Sequence, residues 1–433
     1  MEIDWITPQQ AAEQWNISSR QVQTLCSAGH VKGAVKLGRV WLIPKDADKP
    51  IDYRTKEAHM LVAEPAHGQT SIFGFWNNEV ADKATDINRD PRMVSLFSGC
   101  GGLDLGFKQS GFNVVWANDF DADAQAVYDL NVEMDEVKID PRDILTIGED
   151  EIPEADIITA GFPCQPFSNA GSRKGVHDSR GMLYKECLRI IEKIMPKVIL
   201  FENVKGLLST DYIDGRNLAD VIMDDLSNMS DTGYNVVYQL VNASDYGVPQ
   251  NRQRVIFIGI RKDLNKAFVF PDKLPKENLN IGNVLDLPQD VPNQVHWELS
   301  PQALEMISYI PEGGSWKNVP YEHLAPRFQK IRDEMKKYHS PNFYRRFART
   351  EICGTITASA QPENCGIVHP TENRRYTIRE IARIQTFPDT FRFIDDTPRD
   401  VTAMYKVIGN AVPVNLAKCI AGAIMQQVFA EEK

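Results

Sequence analysis

From Met93 onward the chain alternates short apolar, β-branched runs with amphipathic stretches. MVSLF (93–97), NVVWAND (113–119), DIITAGF (156–162), KVILFENV (197–204), NVVYQLVNA (235–243) and RVIFIGIR (254–261) read as strands. Between them, stretches such as MLYKECLRIIEKIM (182–195) place Leu183, Leu188, Ile191 and Met195 on one face, which predicts helix. Strands alternating with helices predict an α/β fold with a largely parallel, doubly wound sheet. Near the C-terminus Leu416, Ile420, Ile424 and Val428, spaced by four, supply the apolar face of a docking helix.

Residues 1–56 carry a different pattern. Thr7-Pro8-Gln9-Gln10 suits a capping box with proline in the first turn, opening a helix through Ala11, Ala12 and Trp15. Ser18 and Gln21 begin a second such box, and Gly29 stands where that helix would stop. Val22 and Leu25 are spaced to face inward, leaving Arg20, Gln21 and Gln23 outside. VKLGRVWLIP then reads as a β-hairpin around Gly38-Arg39. This stretch resembles the winged helix-turn-helix modules of excisionase and MerR type, which implies DNA contact through Arg20 and Gln21 of the second helix. The plainer alternative is a helical cap that only packs on the rest of the chain. Residues 57–91 show little periodicity and read as a linker.

Composition changes the picture only a little. Apolar residues make up 42% and charged residues 25% of the 433 positions, which excludes wholesale disorder. No apolar run approaches the roughly 20 residues of a membrane helix, and MEIDWITPQQ lacks the parts of a signal peptide, so a cytoplasmic protein without membrane partners is expected. The net charge of −11 argues against indiscriminate phosphate binding but leaves room for a local basic cleft. Seven scattered cysteines, with no CxxC or Cys/His cluster, indicate neither a disulfide framework nor a metal site.

Candidate chemistry gathers at predicted strand ends. Ser98-Gly99-Cys100-Gly101-Gly102 lies between a strand and a helix, where glycines allow close approach to a ligand. Asp119, ending the next strand, is placed to accept hydrogen bonds from ribose hydroxyls. GxGxxG and GxxxxGK[ST] are both absent, which favours a nucleoside cofactor without a gripped pyrophosphate, such as S-adenosylmethionine. Cys164, Glu202, Arg252 and Arg254 follow or open further strands. Cysteine, acid and arginine together suit nucleophilic attack on a polarised heterocycle, although strand-end charges often only solvate a fold.

FSGCGG, GFPCQPFS, ENV, QNRQR, RYTIREIARIQTFP and YKVIGNAVP occur in the order in which they resemble the motifs of the DNA (cytosine-5)-methyltransferases. The resemblance runs from Met93 to the C-terminus. It implies a Rossmann-like catalytic domain over 92–270 and 372–433, with a smaller target-recognition domain at 271–371. The implied cofactor is S-adenosylmethionine, held by Phe97, Gly99, Gly101, Asp119, Phe120, Asp143, Ile144, Leu183 and Asn410. The implied chemistry begins with a Cys164 thiolate adding to C6 of a flipped cytosine. Glu202 would stabilise the ring at N3, and Arg254 would hold the base edge and thiolate. Arg252 would either do the same or hold Glu202 and its loop. Residues 168–180 resemble a mobile lid, with Ser168 at the DNA. Arg345, Arg346, Arg349 and Thr355 are candidates for DNA contact, each arginine being equally readable as part of a solvated basic face.

The expected partner is double-stranded DNA, extending to the protein's own promoter through the N-terminal module, with a cognate restriction endonuclease in the same system. Two rivals stand beside this reading. One is an RNA-directed enzyme of the same family, disfavoured by GFPCQPF in place of PPCQPF and by the long variable domain. The other is a DNA-binding regulator with a vestigial catalytic domain, disfavoured by the intact Cys164, Glu202 and Arg254.

Overall fold

The structure is a computed structural model. It describes residues 5–15, 17–27, 31, 34–37, 40–45, 47, 89–131, 137–163, 181–212, 214–288, 290–334, 343–359, 366–393 and 398–430. The chain divides into two compact units, Met1–Ala84 and Thr85–Lys433. The expected linker at 57–91 lies outside the described residues except for 89–91.

In the small unit, α1 (Pro8–Trp15) and α2 (Ser19–Ser27) accompany β1 (Trp5–Ile6), β2 (Val35–Leu37) and β3 (Val40–Pro44). The strands form an antiparallel sheet in the order β1-β3-β2. The Thr7 capping box forms: the Thr7 amide donates to Gln10 Oε1 at 2.9 Å and the Gln10 amide to Thr7 Oγ1 at 3.4 Å. Ala11, Ala12, Trp15, Val22, Cys26 and Ile43 make a small core. Arg20 is exposed on α2, while the side chains of Gln21 and Leu25 lie outside the description.

The large unit is built on a six-stranded sheet. Its strands are β4 (Arg92–Leu96), β5 (Asn113–Asn118), β6 (Ile157–Ala160), β7 (Val198–Val204), β8 (Tyr234–Asn242) and β9 (Gln253–Arg261), in the order β5-β4-β6-β7-β9-β8. The pairs among β5, β4, β6 and β7 are parallel, as the alternating pattern predicts. The two pairs made by β9 are antiparallel, so the sheet is mixed. The reason is chain length: only residues 243–252 separate β8 from β9, too few for a crossover helix.

Helices cover both faces. α5 (Gly181–Ile194) and α6 (Leu218–Ser227) pack on one, through Tyr184, Ile190, Ile191 and Ile222 against Ile158, Ile199 and Phe201. α3 (Gly102–Lys108) and α12 (Val414–Ile424) lie on the other, through Phe107, Leu416 and Ile420 against Met93, Ile157 and Val198. The fourfold spacing at the C-terminus buries Leu416, Ile420 and Ile424. A π-turn at Met425–Phe429 then shifts the register, leaving Val428 half-buried and Phe429 buried. Among the described residues, Val401–Phe429 is the one helical stretch with the length and hydropathy of a membrane span, and 67% of its apolar window is buried inside the fold.

The remaining helices are α4 (Ala122–Asp129), α7 (Gly282–Leu285), α8 (Pro301–Ser308), α9 (Pro326–Glu334), α10 (Ile378–Ile384) and α11 (Pro398–Asn410). A separate cluster brings together Leu299, Ile307, Trp316, Phe328, Phe343, Tyr344 and Val368. Phe347, Cys353, Ile356 and Ile367 instead join the core around α10 and α11.

Candidate active site

The cofactor loop is shaped by three left-handed residues, Phe97 (φ 55°), Gly99 (φ 57°) and Gly101 (φ 85°). For Phe97 this conformation costs energy, and such strain is typically kept at functional sites. A Cβ on Gly99 would meet nothing within 4 Å, so the loop faces open space there. At Gly102, by contrast, a Cβ would lie 2.4 Å from the Val412 carbonyl oxygen, which brings the C-terminal closing motif onto the start of α3.

Beneath the loop, buried Asp104 accepts hydrogen bonds from Ser95 Oγ at 2.7 Å and Tyr128 Oη at 2.9 Å. Ser98 Oγ donates onward to Ser95. Burial pushes the Asp104 carboxyl up to about 6. Burial likewise pushes the Cys100 thiol up to about 12, which makes this loop cysteine inert as a nucleophile.

Asp119 caps the neighbouring turn, its carboxylate accepting from the Gly99 amide (2.8 Å) and the Asp121 amide (2.8 Å). Burial raises its pKa, and those two amides oppose the shift. Because each oxygen has a second lone pair, the carboxylate can still accept from a ligand hydroxyl. The ring of Phe120, 72% exposed, offers an open stacking face.

These groups line a cavity of about 600 Å³ beyond the carboxyl ends of β4 to β7, at the switch point of the sheet. Phe97, Gly99, Asp119, Phe120, Asp143, Ile144, Leu183 and Asn410 all border it. Gly101 does not: its role is the left-handed N-cap of α3. Asp143 uses its side chain to accept from the Leu145 amide at 3.1 Å. An open glycine loop, an exposed aromatic ring and a carboxylate with spare lone pairs together fit a nucleoside cofactor. Lys406 was not foreseen from the pattern. It borders the same cavity and pairs with Asp121 across its rim.

Glu202 also borders the cavity, and Arg254 Nε holds its Oε1 at 2.8 Å, both side chains being about nine-tenths buried. Asn203 Nδ2 donates to the Phe162 carbonyl at 2.9 Å, tying this strand end to the segment that leads into the cysteine motif. Pro163 lines the cavity; Cys164 and Ser168 themselves lie outside the described residues. A second cavity of about 560 Å³, bordered by Lys205, Asn242, Phe347 and Thr355, shares Val204 and Arg254 with the first.

Several expected contacts are placed differently. Arg252 is 1% exposed and borders neither cavity, its guanidinium donating to the carbonyls of Ile356, Gly409 and Ala411 at 2.8–2.9 Å. Of the alternatives for Arg252, a hydrogen bond to Glu202 is not made, and its burial outside both cavities leaves the guanidinium no exposed face towards either. Arg346 is buried and donates to the carbonyls of His369, Glu372 and Ile307, so it is a strut and not a DNA contact. Arg345 binds the Gly314 carbonyl and Glu351 and stacks on Phe347. Only Arg349 is largely exposed, 3.3 Å from Glu312. Thr355 Oγ1 donates to the Asn251 carbonyl at 2.6 Å. A charge run in sequence looks the same whether its arginines face solvent or satisfy loop carbonyls. Among the described residues no cluster suited to a metal ion occurs.

Comparison with known proteins agrees with this geometry. The family described as C-5 cytosine-specific DNA methylase matches residues 91–426. The chain is 37% identical over 348 residues to the Type II methyltransferase M.NgoFVII of Neisseria gonorrhoeae, covering 76% of this chain and 86% of that protein. It is 36% identical to M.FnuDI of Fusobacterium nucleatum, covering 79% and 96%. The fold resembles a prophage-encoded DNA modification methyltransferase of E. coli (TM-score 0.55, 24% identity, 78% of this chain and 99% of that one). It also resembles S. pombe Dnmt2 (TM-score 0.53, 19% identity, 78% and 98%).

Proposed function

The chain belongs to the C-5 cytosine-specific DNA methylase family, and on that premise we propose how its residues divide the work. It is a DNA cytosine-5-methyltransferase with S-adenosylmethionine as methyl donor, similar to Type II enzymes of restriction-modification systems. The bound cofactor supplies an electrophilic methyl group. Asp119 accepts from its ribose, Phe120 stacks on its adenine, and the open backbone at Gly99 and the wall at Asn410 accommodate the remainder.

The observation that carries the catalytic reading is the Glu202–Arg254 pair at the edge of the cofactor cavity, with Pro163 in the same lining. A cytosine in a stacked duplex cannot reach that position, so the base is flipped into it. The Cys164 thiolate adds to C6, which makes C5 nucleophilic. Glu202, oriented by Arg254, delivers a proton to N3 and so neutralises the negative charge that thiolate addition puts on the ring. After methylation the C5 proton leaves and Cys164 is expelled, restoring the aromatic ring. Lys205 and Thr355 contact the DNA from the side of the second cavity and Arg349 from its exposed position beside Glu312, with Ser168 in the lid, and residues 271–371 choose the sequence. Asp143, Ile144 and Leu183 close around the adenine.

The small unit is a winged helix-turn-helix that binds DNA through α2, Arg20 and Gln21 included. Its target is the promoter of the enzyme's own gene. The enzyme works in the cytoplasm beside a cognate restriction endonuclease.

Bisulfite sequencing of DNA from cells expressing the chain tests the reading, with methylated cytosines in one sequence context as the expected result. Cys164→Ser leaves DNA affinity near normal and abolishes methylation, because serine is far less nucleophilic at neutral pH. Duplexes carrying 5-fluorocytosine trap the wild type covalently, since fluorine cannot leave as a proton does. Turnover by the serine variant would overturn the assignment.

A further inference from the structure

QNRQR does more than present Arg254. Pro249–Asn251 runs beside Cys353: the Cys353 amide donates to the Pro249 carbonyl at 3.0 Å and the Asn251 amide to the Cys353 carbonyl at 2.8 Å. Gln250 Oε1 accepts from the Ile356 amide at 3.0 Å, and Arg252 Nη1 donates to the Ile356 carbonyl at 2.8 Å. The other end of the same guanidinium donates to Gly409 (2.8 Å) and Ala411 (2.9 Å), with Asn410 at 3.4 Å. Asn410 and Ala411 border the cofactor cavity, whereas Gly354 and Thr355 border the second cavity. One buried side chain thus holds a wall of each.

The physics of that side chain makes the two walls interdependent. A buried cation is tolerable only while its hydrogen-bond acceptors stay in place. Here those acceptors are main-chain carbonyls from two segments about fifty residues apart in sequence, and moving either one strands the charge. The segments also touch directly: a Cβ on Gly409 would lie 2.5 Å from the Thr357 carbonyl carbon and oxygen. A shift of either wall therefore disturbs its contacts with the other.

We propose that Arg252 is a positioning residue that couples the cofactor cavity to the DNA-facing cavity, so that filling one orders the wall of the other. The inference rests on the methyltransferase reading above. By linkage the coupling is reciprocal: DNA tightens cofactor binding by the same factor by which cofactor tightens DNA binding.

The experiment measures S-adenosylhomocysteine affinity by titration calorimetry on the full chain, with and without duplex DNA carrying the sequence it methylates. The ratio of the two affinities is the coupling factor, expected at about five-fold or more in the wild type. Arg252→Met brings the factor towards one, and Arg252→Lys, which still donates to carbonyls, restores part of it. Gly409→Ala wedges the same junction and also lowers the factor, and it carries the test by itself if Arg252→Met does not fold. Asp119→Ala weakens S-adenosylhomocysteine binding but keeps the factor, a split that general loss of structure would not produce. A wild-type factor of one, or an unchanged factor in folded Arg252→Met or Gly409→Ala, would overturn the coupling while leaving the methylation reading intact. If the wild type methylates no cytosine in duplex DNA, the parent reading fails and takes this inference with it.

Discussion

Asp104 sits under the cofactor loop as a buried acid whose carboxyl is pushed up to about 6. Because this folded value exceeds the ordinary aspartate value, the native state binds more protons between roughly pH 4 and 6. The contribution of Asp104 to stability is therefore present below that window and lost as pH rises through about 6. Asp104→Asn keeps the size and the acceptor oxygen for Ser95 but carries no charge. It should be more stable than wild type at pH 7.5 by about 2–3 kcal/mol, with the advantage gone near pH 4; urea unfolding at both pH values checks this. Asp119→Ala and Glu202→Gln should separate binding from chemistry. The first removes charge-assisted bonds worth about 1.5–3 kcal/mol each, so it weakens S-adenosylhomocysteine in calorimetry. The second lowers methylation turnover with little change in that affinity. Asp119 and Glu202 were legible because each ends an apolar run, whereas the partners of Arg252 and Arg346 were not, since they are carbonyls distant in sequence.

At the scale of elements, the contact of α3 with α12 decides where the cofactor loop ends. A Cβ on Gly106 would fall 2.5 Å from the Ala417 Cβ and 2.8 Å from the Val414 carbonyl oxygen. On an isolated helix, glycine to alanine gains up to about 1 kcal/mol. Here overpacking costs about 1–3 kcal/mol and prevails, so Gly106→Ala should lower the thermal midpoint. It should also weaken cofactor binding, because α3 starts at Gly102 and carries the loop with it. Thermal melts with and without S-adenosylhomocysteine read both effects. The apolar spacing of Leu416, Ile420 and Ile424 announces a buried helix face. It does not announce the partner, which is set by two small residues meeting, Gly106 and Ala417.

For the whole molecule, the division into Met1–Ala84 and Thr85–Lys433 gives each unit its own core. A chain lacking residues 1–56 should therefore keep the methylation pattern of the full chain in bisulfite sequencing. The isolated first unit should bind promoter DNA at low salt, where phosphate contacts are strongest. A shortened chain that folds but does not methylate would place the small unit in the catalytic assembly. No binding by the isolated unit would end the regulatory proposal.

The alternating pattern by itself determined the α/β class, the strands, the apolar helix faces and the strand-end positions of Gly99, Asp119 and Glu202. Each of these follows from local period and turn chemistry, which a linear sequence carries in full. Tertiary structure alone decided that β9 runs antiparallel, that Lys406 reaches the cofactor rim, and that Phe343 and Tyr344 are core. It also decided the fate of the arginines. Arg254 meets a carboxylate at the cavity, while Arg252, two residues earlier, turns inward to main-chain carbonyls. Strand alternation would set positions two apart on one side, but Arg252 precedes β9, which begins at Gln253, so the strand does not fix its direction. Which of them faces the ligand depends on what lies on each side of the strand, and that exists only once the chain has folded.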